Sequence, residues 1–154
     1  MNTLFEHVTA VLMDEAHTVL PDAYVAVEGS KIQSVGQERP AGSFDQVIDG
    51  TGQVLMPGIV NCHTHIPMTL MRGYGGGHNL QDWLNDFIFP AEAKWDDRAI
   101  RAATGLGLAE MIASGVTCIA DMYMRCDAII EELLAAGMNA NISCGATQFS
   151  DEFD

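Results

Sequence analysis

An α/β chain with a separate β-rich N-terminal part is predicted by three observations. Residues 1–56 hold short apolar runs broken by Gly, Pro and Ser, without a helical repeat. From Pro57 onward, strand-length apolar runs alternate with stretches that repeat apolar residues every three or four positions. Strand, helix, strand, helix, strand in that order makes parallel βαβ units. At the joint lies Val54-Leu55-Met56-Pro57-Gly58-Ile59-Val60-Asn61-Cys62-His63-Thr64-His65, a Pro-Gly turn feeding a strand that ends in two histidines.

In the first part, Leu4 to Met13 reads as one strand. Ala23–Val27 and Lys31–Val35 flank Glu28-Gly29-Ser30 and predict a hairpin. Gln37 to Phe44 holds Pro40 and Gly42 and reads as a loop. Gln46–Asp49 is a further short strand, turned at Gly50-Thr51-Gly52. A sheet this small needs a partner face to bury.

In the second part, Ile59 to His65 is the first strand, expected to be buried. Asn79 caps a short helix with Leu80, Trp83, Leu84, Phe87 and Ile88 on its apolar face, and Pro90 is expected to stop it. Asp96 or Asp97 caps a longer helix with Ile100, Thr104, Gly107, Leu108, Met111 and Ile112 inward. Gly115 takes its C-terminal left-handed position. Val116–Ala120 is the second strand. Asp127–Ala136 is the next helix, with Ile129, Ile130, Leu133 and Leu134 inward and Gly137 closing it. Asn139–Ala146 is the third strand. An open doubly wound sheet and a (β/α)₈ barrel both begin in this order.

Composition narrows the function classes. Twenty-one acids against seven bases give a net charge of −14, which repels polyanions and argues against nucleic-acid binding. No apolar run approaches the ~20 residues of a membrane span, and no basic-then-apolar leader opens the chain. A cytoplasmic location and no membrane partner are therefore expected. Cys62, Cys118, Cys126 and Cys144 form no C-x-x-C pair and are expected to be reduced and buried.

His63 and His65 point to one face of their strand, with Thr64 on the other. Their Cα atoms would lie about 6.6 Å apart, a spacing from which two imidazoles can converge on one metal ion. An H-x-H tripeptide alone is weak, since histidines reach that spacing by chance. Its place at the C-terminal end of a parallel strand strengthens it, because ligands bind there in both candidate folds. His7 and His17 read as surface residues, and His78 as part of a glycine-rich loop. A flavodoxin-like binding module is disfavoured, because no phosphate-binding glycine loop follows the first strand.

Pro57 through His65, followed by Met68-Thr69-Leu70-Met71-Arg72-Gly73, strongly resembles the amidohydrolase superfamily. Within it the chain resembles the S-adenosylhomocysteine/5′-methylthioadenosine deaminases and triazine chlorohydrolases. Asp82-Trp83-Leu84, Ile88 through Glu92, Ala109-Glu110-Met111, Gly115-Val116-Thr117 and Ala120 through Tyr123 extend the likeness over nearly the whole chain. The resemblance implies a small β-sandwich portion over residues 1–56. It implies that residues 57–154 are the first three strands of a (β/α)₈ TIM barrel of a metal-dependent hydrolase. His63 and His65 match two ligands of one divalent ion, usually zinc and sometimes iron. Trp83 matches a residue that packs on the nucleoside, and Glu92 one that hydrogen-bonds the ribose hydroxyls. The implied reaction is hydrolytic deamination of an adenine nucleoside or related aminated heterocycle by metal-bound hydroxide.

The residues leave alternatives open. Trp83 also fits core packing and Glu92 a solvated surface, while Asp121, which could mimic a catalytic carboxylate, is read as a structural hydrogen-bonding group because the family places its catalytic acids later. The family's adenosylhomocysteine enzymes tend to carry an arginine near the third strand's end, facing the substrate carboxylate; Asn141–Ala146 has none, which puts that end of the substrate in doubt. Gly73-Tyr74-Gly75-Gly76-Gly77-His78 suggests a mobile lid. A whole barrel needs about 250 residues, and a catalytic zinc wants three protein ligands plus water. The chain is therefore expected to be part of a longer enzyme and inactive alone, with its catalytic acid/base beyond residue 154. It is expected to form a homo-oligomer or to need further chain. The competing functions are a triazine-type chlorohydrolase or aminohydrolase, and a non-catalytic remnant of the scaffold.

Overall fold

Periodicity switches once along this chain, and the architecture switches with it. The computed structural model describes residues 1–145 and divides into two compact units, Met1–Pro57 and the part beginning at Gly58. In the first unit, β1 (Asn2–Val11) pairs antiparallel with β2 (Val19–Glu28), which pairs antiparallel with β3 (Lys31–Gly36). β4 (Gln46–Asp49) and β5 (Val54–Leu55) both lie parallel to β1, at its two ends. Gly29 turns the β2–β3 hairpin at φ 59°, a conformation glycine reaches without a Cβ penalty. Leu4, Val8, Ala10, Ala23 and Val25 are buried on this sheet.

The β1–β2 ladder slips between Phe5 and Val8. His7 there has φ 57°, and Asp22 on the facing strand has φ 50°. The His7 Nδ1 lies 2.7 Å from Asp22 Oδ1. That hydrogen bond is the chief cause of a His7 pKa raised above 6.5.

In the second unit, β6 (Ile59–Thr64), β7 (Val116–Tyr123) and β8 (Asn139–Cys144) form a parallel sheet in that order. A 3₁₀ turn (Ile66–Met71) follows β6. The segment to β7 then contains α1 (Leu80–Asp82), a π-helical turn (Trp83–Ile88), α2 (Phe89–Glu92) and α3 (Asp97–Ala113). Helix α4 (Cys126–Ala136) connects β7 to β8. This is the strand–helix order of the opening βα units of a (β/α)₈ barrel. The predicted caps form: the Asn79 side chain accepts from the Asp82 amide, and that of Asp96 from Ala99. Gly115 and Gly137 take φ 80° and 70° after α3 and α4. The core joins Ile66, Ile100, Leu108, Ile119, Tyr123, Ala128, Ile129 and Leu133.

Several expectations are corrected. Pro90 does not stop the helix. The Phe89 amide donates to the Leu84 carbonyl five residues back, and the π turn shifts the hydrogen-bond register so that Pro90 enters the first turn of α2, where no amide is needed. Ile130 and Leu134 are exposed, because each lies about 100° around the helix from the buried Ile129 and Leu133 stripe. Ile112 is exposed in the last turn of α3, beyond the packed part of its stripe. Strand β6 has no buried residue, and Cys62 and Cys144 are exposed rather than buried. Ala146, assigned to the third strand from sequence, lies outside the described residues. Among the described residues, no helix is long and apolar enough to cross a membrane.

Gly107 sets how closely α3 approaches the turn after β6. A Cβ there would meet Ile66 Cγ1 at 2.6 Å and Thr69 Oγ1 at 2.9 Å. Gly107→Ala is expected to destabilise the chain by about 1–3 kcal/mol in denaturant titration. Gly105→Ala, which has room, is expected to gain up to about 1 kcal/mol from helix propensity. The raised His7 pKa makes a second prediction. Its stabilisation is complete below the unfolded value of ~6.5 and is lost as pH rises through the higher folded value. Both partners are exposed, so the contribution is small. An NMR titration is expected to show His7 titrating above the unfolded value, and Asp22→Asn lowering its midpoint.

Candidate functional site

The histidine pair stands where β6 ends. Thr64 closes the strand and His65 precedes the 3₁₀ turn. Alternation along the strand puts both imidazoles on the face opposite Thr64. Their ring centroids are 5.0 Å apart, with planes at 78°. His65 is half-buried and His63 is exposed. The Met122 carbonyl lies 2.7 Å from His65 Nδ1. A carbonyl only accepts, so Nδ1 carries the proton and the Nε2 lone pair of the neutral ring is available to a ligand. A hollow of about 270 Å³ lies over this face, lined by His63, His65, Asp121 and Asn141 among others.

A second hollow of about 350 Å³ shares His65. Its wall includes Trp83, Glu92 and Tyr123, with Met68, Leu84, Phe89 and Met122 supplying apolar surface. The Trp83 Nε1–H donates to the Tyr74 carbonyl at 2.9 Å, which orients the indole. Beneath it packs the glycine-rich segment. A Cβ on Gly75 would lie 2.7 Å from the Phe87 ring and 3.0 Å from Trp83 Cδ1, and the His78 ring lies tilted by 38° against Phe87 with centroids 4.6 Å apart. Within the segment read from sequence as a lid, Gly75 serves close approach to the aromatic wall.

Glu92 is 6% exposed, against the solvated-surface alternative. The Tyr123 hydroxyl donates to its Oε1 at 2.5 Å. Burial first, then the Glu92 carboxylate, push the Tyr123 pKa far up, so the phenol remains a donor at neutral pH. Sequence reading gave Tyr123 no role. Its signal was the two-residue alternation Ile119, Asp121, Tyr123, which puts all three on the helix-covered face of β7.

Asp121 is 2% exposed, and its Oδ1 accepts the Ile66 amide at 2.7 Å. Its Oδ2 is buried without a partner among the described residues. Burial raises its carboxyl pKa, partly offset by the Ile66 bond and the nearby His65. The structural hydrogen bond expected of Asp121 is present.

Residues 54–149 match the amidohydrolase family. The chain belongs to the amidohydrolase family. It is 38% identical over 160 aligned positions to a 5-methylthioadenosine/S-adenosylhomocysteine deaminase of Bacillus cereus, covering 100% of this chain and 37% of that protein. The chain thus spans about 37% of the length of this curated relative. Among solved structures, an adenosine deaminase of Xanthomonas campestris with bound zinc is 32% identical, with a TM-score of 0.82, over 90% of this chain and 32% of that one. A zinc-complexed atrazine chlorohydrolase of Arthrobacter aurescens shares the fold at 24% identity and a TM-score of 0.83, over 92% and 35%.

The imidazole pair fits a divalent ion in donor type and in the orientation of His65. No group of three or more His, Cys, Asp or Glu is arranged to hold one among the described residues. The structure therefore brings His65, Trp83 and Glu92 to one cavity, with His63 beside His65 in the adjoining hollow. Asp121→Ala would leave the buried Ile66 amide without its acceptor. The expected cost is about 1–3 kcal/mol in denaturant titration, accompanied by faster hydrogen exchange at the Ile66 amide.

Proposed function

We propose that this chain carries the first metal ligands and part of the substrate pocket of a hydrolytic deaminase acting on an adenine nucleoside or a related aminated heterocycle. The observation that carries the reading is the sharing of His65 between the two hollows: the wall of a cavity holding Trp83 and Glu92 includes a candidate metal ligand. The deaminase names of the Bacillus and Xanthomonas relatives support it. The atrazine chlorohydrolase, at 24% identity, supports the fold alone.

In this reading His63 and His65 hold a divalent ion, assigned as zinc, with iron the alternative, because imidazole suits both and the Xanthomonas adenosine deaminase binds zinc. Such an ion supplies, when bound, a water whose pKa is near 7. His65 donates to the Met122 carbonyl and thereby keeps Nε2 for the ion. The Trp83 indole, oriented by Tyr74, offers its face to the heterocycle. Glu92 accepts from the ribose hydroxyls, and Tyr123 restrains one of its oxygens. Water adds at the amine-bearing ring carbon and ammonia leaves. The proton transfers are assigned to acid/base groups outside the described residues.

The test is ammonia release by the full-length product of the reading frame, with metal analysis. Turnover of 5′-methylthioadenosine or adenosine is expected, with one equivalent of zinc in the protein. His63→Ala and His65→Ala are expected to lose both the metal and turnover. Trp83→Ala and Glu92→Gln are expected to raise KM about tenfold each, equivalent to about 1.4 kcal/mol of binding. Inert nucleosides beside a rapidly hydrolysed aminotriazine would overturn the substrate assignment. Metal retained in both histidine variants would overturn the site.

A further inference from the structure

Two of the four cysteines meet at the C-terminal end of the sheet. Cys144, the last residue of β8, is in register with Tyr123, the last residue of β7. Register partners share a face of the sheet, so Cys144 stands on the side that α4 covers. The next amide, that of Gly145, donates to the Tyr123 carbonyl at 3.0 Å. The Cys126 thiol, at the first residue of α4, lies 3.6 Å from that same carbonyl oxygen. One carbonyl is therefore met both by the Cys126 thiol and by the amide of the residue after Cys144. Desolvation, and then interaction with Cys144, raise the Cys126 thiol pKa to about 11. Cys118 is excluded from the pair by strand alternation, which turns it to the opposite face of β7 from Tyr123. Cys62 lies on β6, separated from β8 by β7.

We propose that Cys126 and Cys144 form an oxidant-driven intrachain disulfide that straps the start of α4 to the exit of β8. Cys144 is exposed and Cys126 half-buried, so Cys144 meets the oxidant first. With a peroxide as oxidant, the Cys144 thiolate attacks one oxygen. An S–O bond forms, the O–O bond breaks and the departing oxygen leaves as water. The Cys126 sulfur then attacks the Cys144 sulfenic sulfur. The S–S bond forms, the S–O bond breaks, and a second water carries off the remaining thiol proton. The two thiols give up two electrons, and the peroxide is reduced to two waters. The strap borders the larger hollow, whose wall includes Tyr123 and Gly145. The inference concerns thiol chemistry and stands independently of the deaminase reading.

The test uses the purified chain, treated with stoichiometric hydrogen peroxide, alkylated without reductant and mapped by mass spectrometry. No Lys or Arg follows Arg125, so trypsin releases both cysteines in one peptide, 126–154. That peptide is expected to lose two hydrogens and resist alkylation. Further cleavage after Glu131 or Glu132 is expected to leave two fragments joined until reductant is added. Cys62 and Cys118 are expected to remain alkylatable. Cys126→Ser is expected to leave Cys144 as a free thiol or sulfenic acid, with no new intrachain bond. Repeating the oxidation in denaturant removes the folded geometry. There, loop-closure entropy favours Cys118 with Cys126, the pair closest in sequence, and the 126–144 bond is expected to lose its dominance. A random mixture of pairings under native conditions, a dimer through Cys62, or oxidation stopping at single sulfinic acids would each overturn the proposal.

Discussion

The Ile66 amide is held by a buried carboxylate from the neighbouring strand, and the candidate site is built around that bond. Asp121 sits at the point where β7 runs alongside the end of β6, and its Oδ1 captures the first amide after the histidine pair. One residue further along β7, the Met122 carbonyl faces His65 Nδ1. Adjacent residues of one strand thus anchor the turn through a side chain and the imidazole through the backbone. Alternation makes this possible, because Asp121 points to the helix layer while Met122 points to the face of the histidines.

Packing on the helix side completes the anchor. Ile66 is 1% exposed and enters the core with Ile100, Leu108 and Ile119. Gly107 lets α3 come within a methyl group's width of Ile66, so the turn is clamped between a hydrogen bond below and a helix above. The buried carboxylate costs solvation, which the raised Asp121 pKa reflects. That cost is offset by fixing the register of a turn that begins at a candidate ligand. Glu92 is held in the same style, by a phenol from the end of β7, although its own segment follows a π turn. The end of β7 therefore organises three site elements through Asp121, Met122 and Tyr123.

Much of this was legible in the chain. The hairpin at Gly29, the caps at Asn79 and Asp96, and the left-handed glycines 115 and 137 follow from local chemistry, and all are present. So do the parallel strand order and the shared direction of His63 and His65. Where local rules failed, a longer-range term decided. Pro90 was misread because a single π turn changes which carbonyl each amide meets. Ile130 and Leu134 were misread because apolar character does not say which of two adjacent stripes a helix buries. Glu92 was ambiguous because its burial depends on Tyr123, thirty-one positions away.

By itself, then, the sequence determined most of the strands, the two long helices, their order and the family, because caps, turns and hydrophobic period act over a few residues. It also determined that two imidazoles share a face. The tertiary structure decided that Glu92 is buried, that Trp83 and Glu92 border the same cavity as His65, and that Gly75 packs under an aromatic wall. It alone brought Cys126 and the residue after Cys144 to one carbonyl. These outcomes rest on strand register and helix approach, which are set by contacts between residues far apart in the chain and leave no periodic trace along it.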